Sequence, residues 1–159
     1  LYIGVDPGIT GAIALLLDSQ ETRTVADVRD MPIEVGAQGR KRVSAPMLLD
    51  LLRAWQDVYG GTAAAALEAV AAMPGQGVTS MFSFGRSAGV AETALVACGI
   101  PVTLLSPMRW KRAMGLTGRE KGYSITRALQ LYPDAARFLQ LKRHHGRAEA
   151  ILLAHWLIR

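Results

Sequence analysis

One cysteine, Cys98, is too few for an internal disulfide or a cysteine-held zinc ion, so neither organises this chain. A reducing, intracellular setting is the expectation. Aromatic residues make up only 6% of the sequence, and no apolar run approaches the roughly 18 residues a membrane span needs, so no membrane role is expected. The amino end has no basic region ahead of an apolar one. It opens at Leu1 with a strand already under way, consistent with a trimmed leader or targeting peptide. No internal repeat or low-complexity tract interrupts the sequence.

What is present is a globular composition: half of the 159 residues are apolar and 19% are charged. That length suits one domain, 1–159, and is short for two. The net charge of +5 comes mostly from arginine, which favours planar contact with phosphates, so a polyanion is the natural partner.

The stretch Tyr2-Ile-Gly-Val-Asp6-Pro-Gly-Ile-Thr-Gly11 runs an apolar strand into one carboxylate and then breaks sharply. Alone, Asp6 reads either as a residue that starts a tight turn or as a site residue at a strand end. Strands are expected over 2–6, 11–17 and 24–31 as an antiparallel meander, with Asp18-Ser-Gln20 as a hairpin turn. Residues 34–43 carry Arg40-Lys41-Arg42 with little apolar content and read as a mobile basic loop. Ser44 caps a helix over 45–59, and Gly60-Gly61 leads to a buried strand over 62–68. After a loop over 69–78, helices are expected over 80–97, 107–114, 119–132 and 146–158, with a strand over 102–105. Three strands followed by alternating helix and strand give an α/β fold, a mixed five-stranded sheet flanked by helices, and this topology resembles the ribonuclease H fold.

If the fourth strand pairs in parallel with the first, Asp6 and Glu68 lie at the carboxyl ends of neighbouring strands, where α/β sheets build their sites. Two close carboxylates repel; either one holds a proton or a cation sits between them. Oxygen donors without a thiolate favour a hard ion such as Mg²⁺ or Mn²⁺. Glu149 lies on a terminal helix that is apolar nearly all round, so its charge needs a partner. His145, four residues earlier, falls about 40° past a full turn and shares the face of Glu149, whereas His144 points about 140° away. His145 is therefore the favoured fourth member; the bland reading is a solvated or phosphate-contacting residue at a helix start.

In the helix over 80–97, Met81, Phe84, Ala88, Ala91 and Leu95 form one apolar stripe. Phe82 falls about 160° from Phe84 around the axis, with Arg86 one turn beyond it. An exposed Phe beside Arg suits stacking on an unpaired base; equally, with Gly85 and Gly89 near, it suits packing on a second subunit.

Asp6-Pro-Gly-x-Thr-Gly11, Glu68 closing the fourth strand and Glu149 ahead of Ala-x-x-x-Ala on the last helix resemble the RuvC family of Holliday junction resolvases. Pro107-Met-Arg-Trp110-Lys111-Arg112 and His144-His145-Gly146-Arg147-Ala148-Glu149-Ala150 are similar to its chloroplast branch and the bacterial and phage relatives of that branch. The resemblance implies a homodimeric endonuclease that nicks four-way DNA junctions in pairs, with Mg²⁺ or Mn²⁺ held by Asp6, Glu68, Glu149 and His145. His145 would ligate metal or orient water. Lys111 and Lys121 resemble family positions near the scissile phosphate; Arg40, Lys41, Arg42, Arg86, Arg112, Arg119 and Arg143 extend the basic supply. Nucleoid or cytoplasm, or plastid stroma, is the implied setting. The sequence departs from many relatives at Gly146, where they carry a first Asp three residues ahead of a second. That motivates one alternative, a junction-binding protein with impaired catalysis. The Asp6 to Gly11 turn motivates another, a fragment of an ATP-binding kinase.

Overall fold

Period-two alternation decides which side chains of the central strands face which layer. The computed structural model describes residues 1–19, 21–71, 75 and 77–159. The chain runs β1 (Tyr2–Asp6), β2 (Ala12–Asp18), β3 (Arg23–Asp30), β4 (Ile33–Val35), β5 (Lys41–Val43), α1 (Ala45–Tyr59), β6 (Ala64–Glu68) and α2 (Val78–Ala97). It continues through β7 (Val102–Leu105), α3 (Pro107–Ala113), α4 (Tyr123–Leu131) and α5 (His145–Ile158). The main sheet has the order β3-β2-β1-β6-β7. β1, β2 and β3 pair antiparallel, while β6 is parallel to both β1 and β7. This is the expected mixed five-stranded sheet.

One face, carrying Ile3, Val5, Ile13, Leu15, Ala65 and Leu67, packs on Leu48, Leu52 and Trp55 of α1 and Ala91 and Leu95 of α2. The opposite face, carrying Ala12, Ala14, Leu16 and Ala66, packs on α5 through Ala150, Ile151 and Ala154. Alternation therefore turns Gly4 and Asp6 of β1, and Ala66 and Glu68 of β6, toward α5. Gly4 shows how close the layers come: a Cβ there would stand 1.9 Å from the Ala150 carbonyl oxygen and 2.5 Å from the Ala154 nitrogen. Small residues on this face let α5 sit down on the sheet.

Several local expectations need correction. Residues 34–43 are not a mobile loop: β4 and β5 pair antiparallel, with Glu34 opposite Arg42 and the two side chains in an ion pair. Strands of three residues carry too little alternation to be read from sequence. The helix expected over 119–132 runs only from Tyr123 to Leu131, with Gly122 at its N-cap. Ser44 stands at the N-cap of α1, but its side chain makes no capping bond. The buried residues of α2 are Ser87, Ala91, Ala94 and Leu95. Met81, Phe84 and Ala88 are only half-buried, so the expected stripe enters the core in its C-terminal half alone. Gln20 of the expected hairpin turn, and 72–74 and 76 of the expected loop, lie outside the described residues.

Candidate active site

The turn after β1 fixes the first carboxylate. The Gly11 amide donates to the Gly8 carbonyl at 2.9 Å, and a Cβ on Gly11 would meet the Asp6 carbonyl oxygen at 2.1 Å, so the turn folds back directly over Asp6. The Gly8 amide lies at 3.5 Å from Asp6 Oδ1, a long contact that leaves the carboxylate weakly partnered. At the end of β6, Glu68 is 8% exposed, and Trp110 Nε1 donates to its Oε1 at 2.9 Å. Glu149 projects from the second turn of α5, with Lys111 Nζ 3.6 Å from its Oε2. All three line one cleft of about 880 Å³, together with His145, Lys111, Arg119 and Lys121.

The electrostatics follow from that convergence. Burial, then the charges of Glu68 and Glu149, push the Asp6 carboxyl up from 3.8 to about 7. Burial likewise raises Glu68, against the lowering pull of the Trp110 hydrogen bond and Lys111. Among the described residues, no three acidic or histidine side chains stand close enough together to enclose an ion in this arrangement. Yet the donor set fits a hard divalent cation: oxygen donors from β1, β6 and α5, without a thiolate, in a cleft where burial and then the charges of Glu68 and Glu149 make the ionised form of Asp6 costly unless a cation is near.

The other sequence-marked residues divide. His145 lines the cleft with Glu149, whereas the His144 ring turns away and accepts from the Leu141 amide at 3.3 Å. Lys111 and Lys121 line the cleft, while Arg86, Arg112 and Arg143 are exposed outside its lining. Arg40 and Lys41 are exposed on the β4–β5 hairpin, where Arg42 is tied to Glu34. Phe82 is 74% exposed, and Phe84, expected in the core, lines the cleft instead.

Three features escaped the sequence reading. Thr79, Ser80, Ser83 and Ser87 of α2 add a row of hydroxyl-bearing residues to the cleft lining; their helical spacing was the available signal. Arg147 forks onto Asp30, Nε to Oδ1 at 2.6 Å and Nη2 to Oδ2 at 2.8 Å, and donates to the Phe138 carbonyl at 3.1 Å, anchoring the start of α5 to the end of β3. Gly146 packs against the Asp6 turn: a Cβ there would lie 3.0 Å from the Thr10 carbonyl oxygen and 3.3 Å from Asp6 Oδ2. A side chain at 146 would press on both, so the departure from an acidic residue there accompanies a close approach of backbones.

No family model matches the chain. Among curated proteins, the chloroplastic Holliday junction resolvase MOC1 of Chlamydomonas reinhardtii is 35% identical over 91 residues, 54% of this chain and 10% of that protein. The crossover junction endodeoxyribonuclease RuvC of Porphyromonas gingivalis is 35% identical over 80 residues, 48% of this chain and 42% of that protein. The chain thus spans less than half the length of each of these relatives. Thermus thermophilus RuvC superposes with a TM-score of 0.63 at 18% identity, covering 96% of this chain and 89% of that one. The same protein in complex with a Holliday junction substrate gives 0.58 at 19% identity, covering 96% and 88%. The fold is that of RuvC, ribonuclease H-like, and this likeness of fold extends over nearly the whole chain, while the sequence matches cover about half of it.

Proposed function

We propose that this chain is a divalent-metal-dependent endonuclease that resolves four-way DNA junctions by paired, symmetric nicks. The observation that carries the reading is the convergence of Asp6, Glu68 and Glu149, from three separate elements, on one cleft whose wall is basic. These carboxylates would hold Mg²⁺ or Mn²⁺, with His145 as a further ligand or as the group that orients the attacking water. The bound ions supply activation of that water and neutralisation of charge on the phosphate and the leaving 3′ oxygen. Lys111, Arg119 and Lys121 grip the scissile phosphate from the basic wall; Arg40, Lys41, Arg42, Arg86, Arg112 and Arg143 serve as outlying backbone contacts. The products would be a 5′-phosphate and a 3′-hydroxyl.

A homodimer suits a substrate that is itself nearly twofold. Exposed Val78 and Phe82, and Gly85 and Gly89 with nothing within 4 Å of a Cβ, leave α2 open to close helix contact. The similarity to chloroplastic and bacterial proteins favours plastid stroma or bacterial nucleoid as the setting.

The deciding experiment incubates end-labelled four-way junction with the protein in Mg²⁺ or Mn²⁺. Opposed nicks at matching positions in two strands are expected. Tight junction binding with intact strands would favour the impaired binding protein suggested by Gly146, and ATP binding without DNA affinity would revive the kinase fragment. Binding should weaken steeply with salt, since each neutralised phosphate releases counterions.

The two readings of Phe82, base stacking and subunit packing, are separable by experiment. Because it is 74% exposed, Phe82→Ala should change unfolding free energy by less than about 0.5 kcal/mol. Loss of a stacked base should nonetheless weaken junction affinity by about 1–3 kcal/mol. Calorimetric melting and a filter-binding titration in Ca²⁺ measure the two; an unchanged affinity with a dimer that falls apart would assign Phe82 to subunit packing.

A further inference from the structure

Trp110 is 0% exposed and sits in the core layer with Leu105, Ala66, Met114 and Ile151. A buried indole must find an acceptor for its N–H, and many backbone carbonyls could have served. Here the acceptor is Glu68 Oε1, at 2.9 Å. The neighbouring residue on α3, Lys111, reaches a different carboxylate of the same cleft, Glu149. One short helix thus addresses two acidic residues with two kinds of donor.

The choice of donor has a consequence. A lysine or arginine on Glu68 would neutralise it and compete with an incoming cation. An indole carries no net charge, so it fixes the carboxylate's rotation while leaving its negative charge available. With Oε1 engaged, Oε2 is the Glu68 oxygen with no protein hydrogen bond among the described residues. The packing around Trp110 leaves the ring no room to swing away, so the constraint is built into the core.

We infer that Trp110 is a positioning residue of this site, holding Glu68 by one oxygen so that the other is presented to a divalent ion. The inference rests on the proposed metal site and names a residue whose role is to keep that site formed before the ion arrives. Without the indole N–H, Glu68 would sample several orientations, and ordering it would oppose ion binding.

The test replaces Trp110 in two ways. Trp110→Phe removes the N–H with some loss of volume. Trp110→β-(3-benzothienyl)alanine, introduced by codon suppression, keeps the bicyclic shape and exchanges only the N–H for sulfur, which keeps the question answerable if the Phe variant folds poorly. Mn²⁺ binding is titrated by calorimetry, and junction affinity is measured in Ca²⁺. Expected is a 10- to 100-fold weakening of Mn²⁺ binding, the usual effect of removing a partner behind a metal ligand. Junction affinity should hold, and cleavage should recover in part as Mn²⁺ is raised. Wild-type Mn²⁺ affinity in the folded benzothienyl variant would overturn the role of Trp110 alone. Absence of Mn²⁺ binding by the unmodified protein would overturn the metal site itself, and the assignment with it.

Discussion

Asp6→Asn should reduce junction cleavage by about 10³-fold or more while making the metal-free protein more stable at pH 8. The first effect follows from removing a charged oxygen donor at the point where β1, β6 and α5 meet, in a site whose chemistry is electrostatic. The second follows from the same residue's surroundings. Burial and the charges of Glu68 and Glu149 raise the Asp6 carboxyl from 3.8 to about 7. The folded state therefore binds the Asp6 proton more tightly than the unfolded chain. Its contribution is most favourable below about pH 4, erodes as pH rises, and is lost once pH passes about 7. At pH 8 the carboxylate is largely charged in both states, and the folded protein bears most of the cost of burying that charge beside Glu68 and Glu149, on the order of a few kcal/mol by the size of the shift. Asparagine keeps the shape and removes the charge. Burial lowers His144 and His155, an opposite trend as pH falls through their unfolded value, but both proteins share it. The difference between the wild-type and Asp6→Asn melting profiles across pH 4–8 isolates Asp6. Saturating Mg²⁺ or Mn²⁺ should close that difference by stabilising only the wild type. Retained cleavage in Asp6→Asn would sink the metal-site reading, whatever the melting curves show.

The two readings of Asp6 that its turn leaves open, turn-starter and site residue, turn out to be compatible. Gly8 and Gly11 fold tightly around the residue, and its partly buried carboxylate lines the cleft at the strand end. The order of strands and helices was legible because alternation and helical spacing are local properties. The nearness of Asp6 and Glu68 followed once β6 was set parallel to β1, whereas Glu149 stood out only as a charge on an otherwise apolar helix. What was not legible depends on contacts distant in sequence. The β4–β5 hairpin is held by a cross-strand pair of Glu34 with Arg42, in strands too short to show a period. Phe84 matched the helical stripe in spacing, yet the N-terminal half of α2 borders a cleft rather than the core. Trp110 and Glu68 lie 42 residues apart, and spacing along a chain cannot announce such a bond. Nor could composition reveal the Arg147 fork onto Asp30, 117 residues away, which ties the start of α5 to β3.

Gly4→Val should lower stability by about 3 kcal/mol or more, since overpacking against backbone cannot be relieved by turning a side chain. In a chain of this length that corresponds to a fall of about 6–12 °C in the melting midpoint. β-propensity alone argues the other way, because valine suits a strand interior better than glycine. The contact decides: a Cβ at position 4 would lie 1.9 Å from the Ala150 carbonyl oxygen. Either β1 or α5 must move, and α5 carries His145 and Glu149 into the cleft while β1 carries Asp6. Cleavage should therefore fall even at temperatures where the variant remains folded, with metal binding weakened more than DNA binding, because the basic wall belongs to α3 and the loop before α4. Calorimetric melting together with a Mn²⁺ titration at low temperature measures both. A Gly4→Val protein that melts with the wild type would mean that α5 does not rest on β1 at this distance. The close seating that brings three carboxylates together would then need another cause.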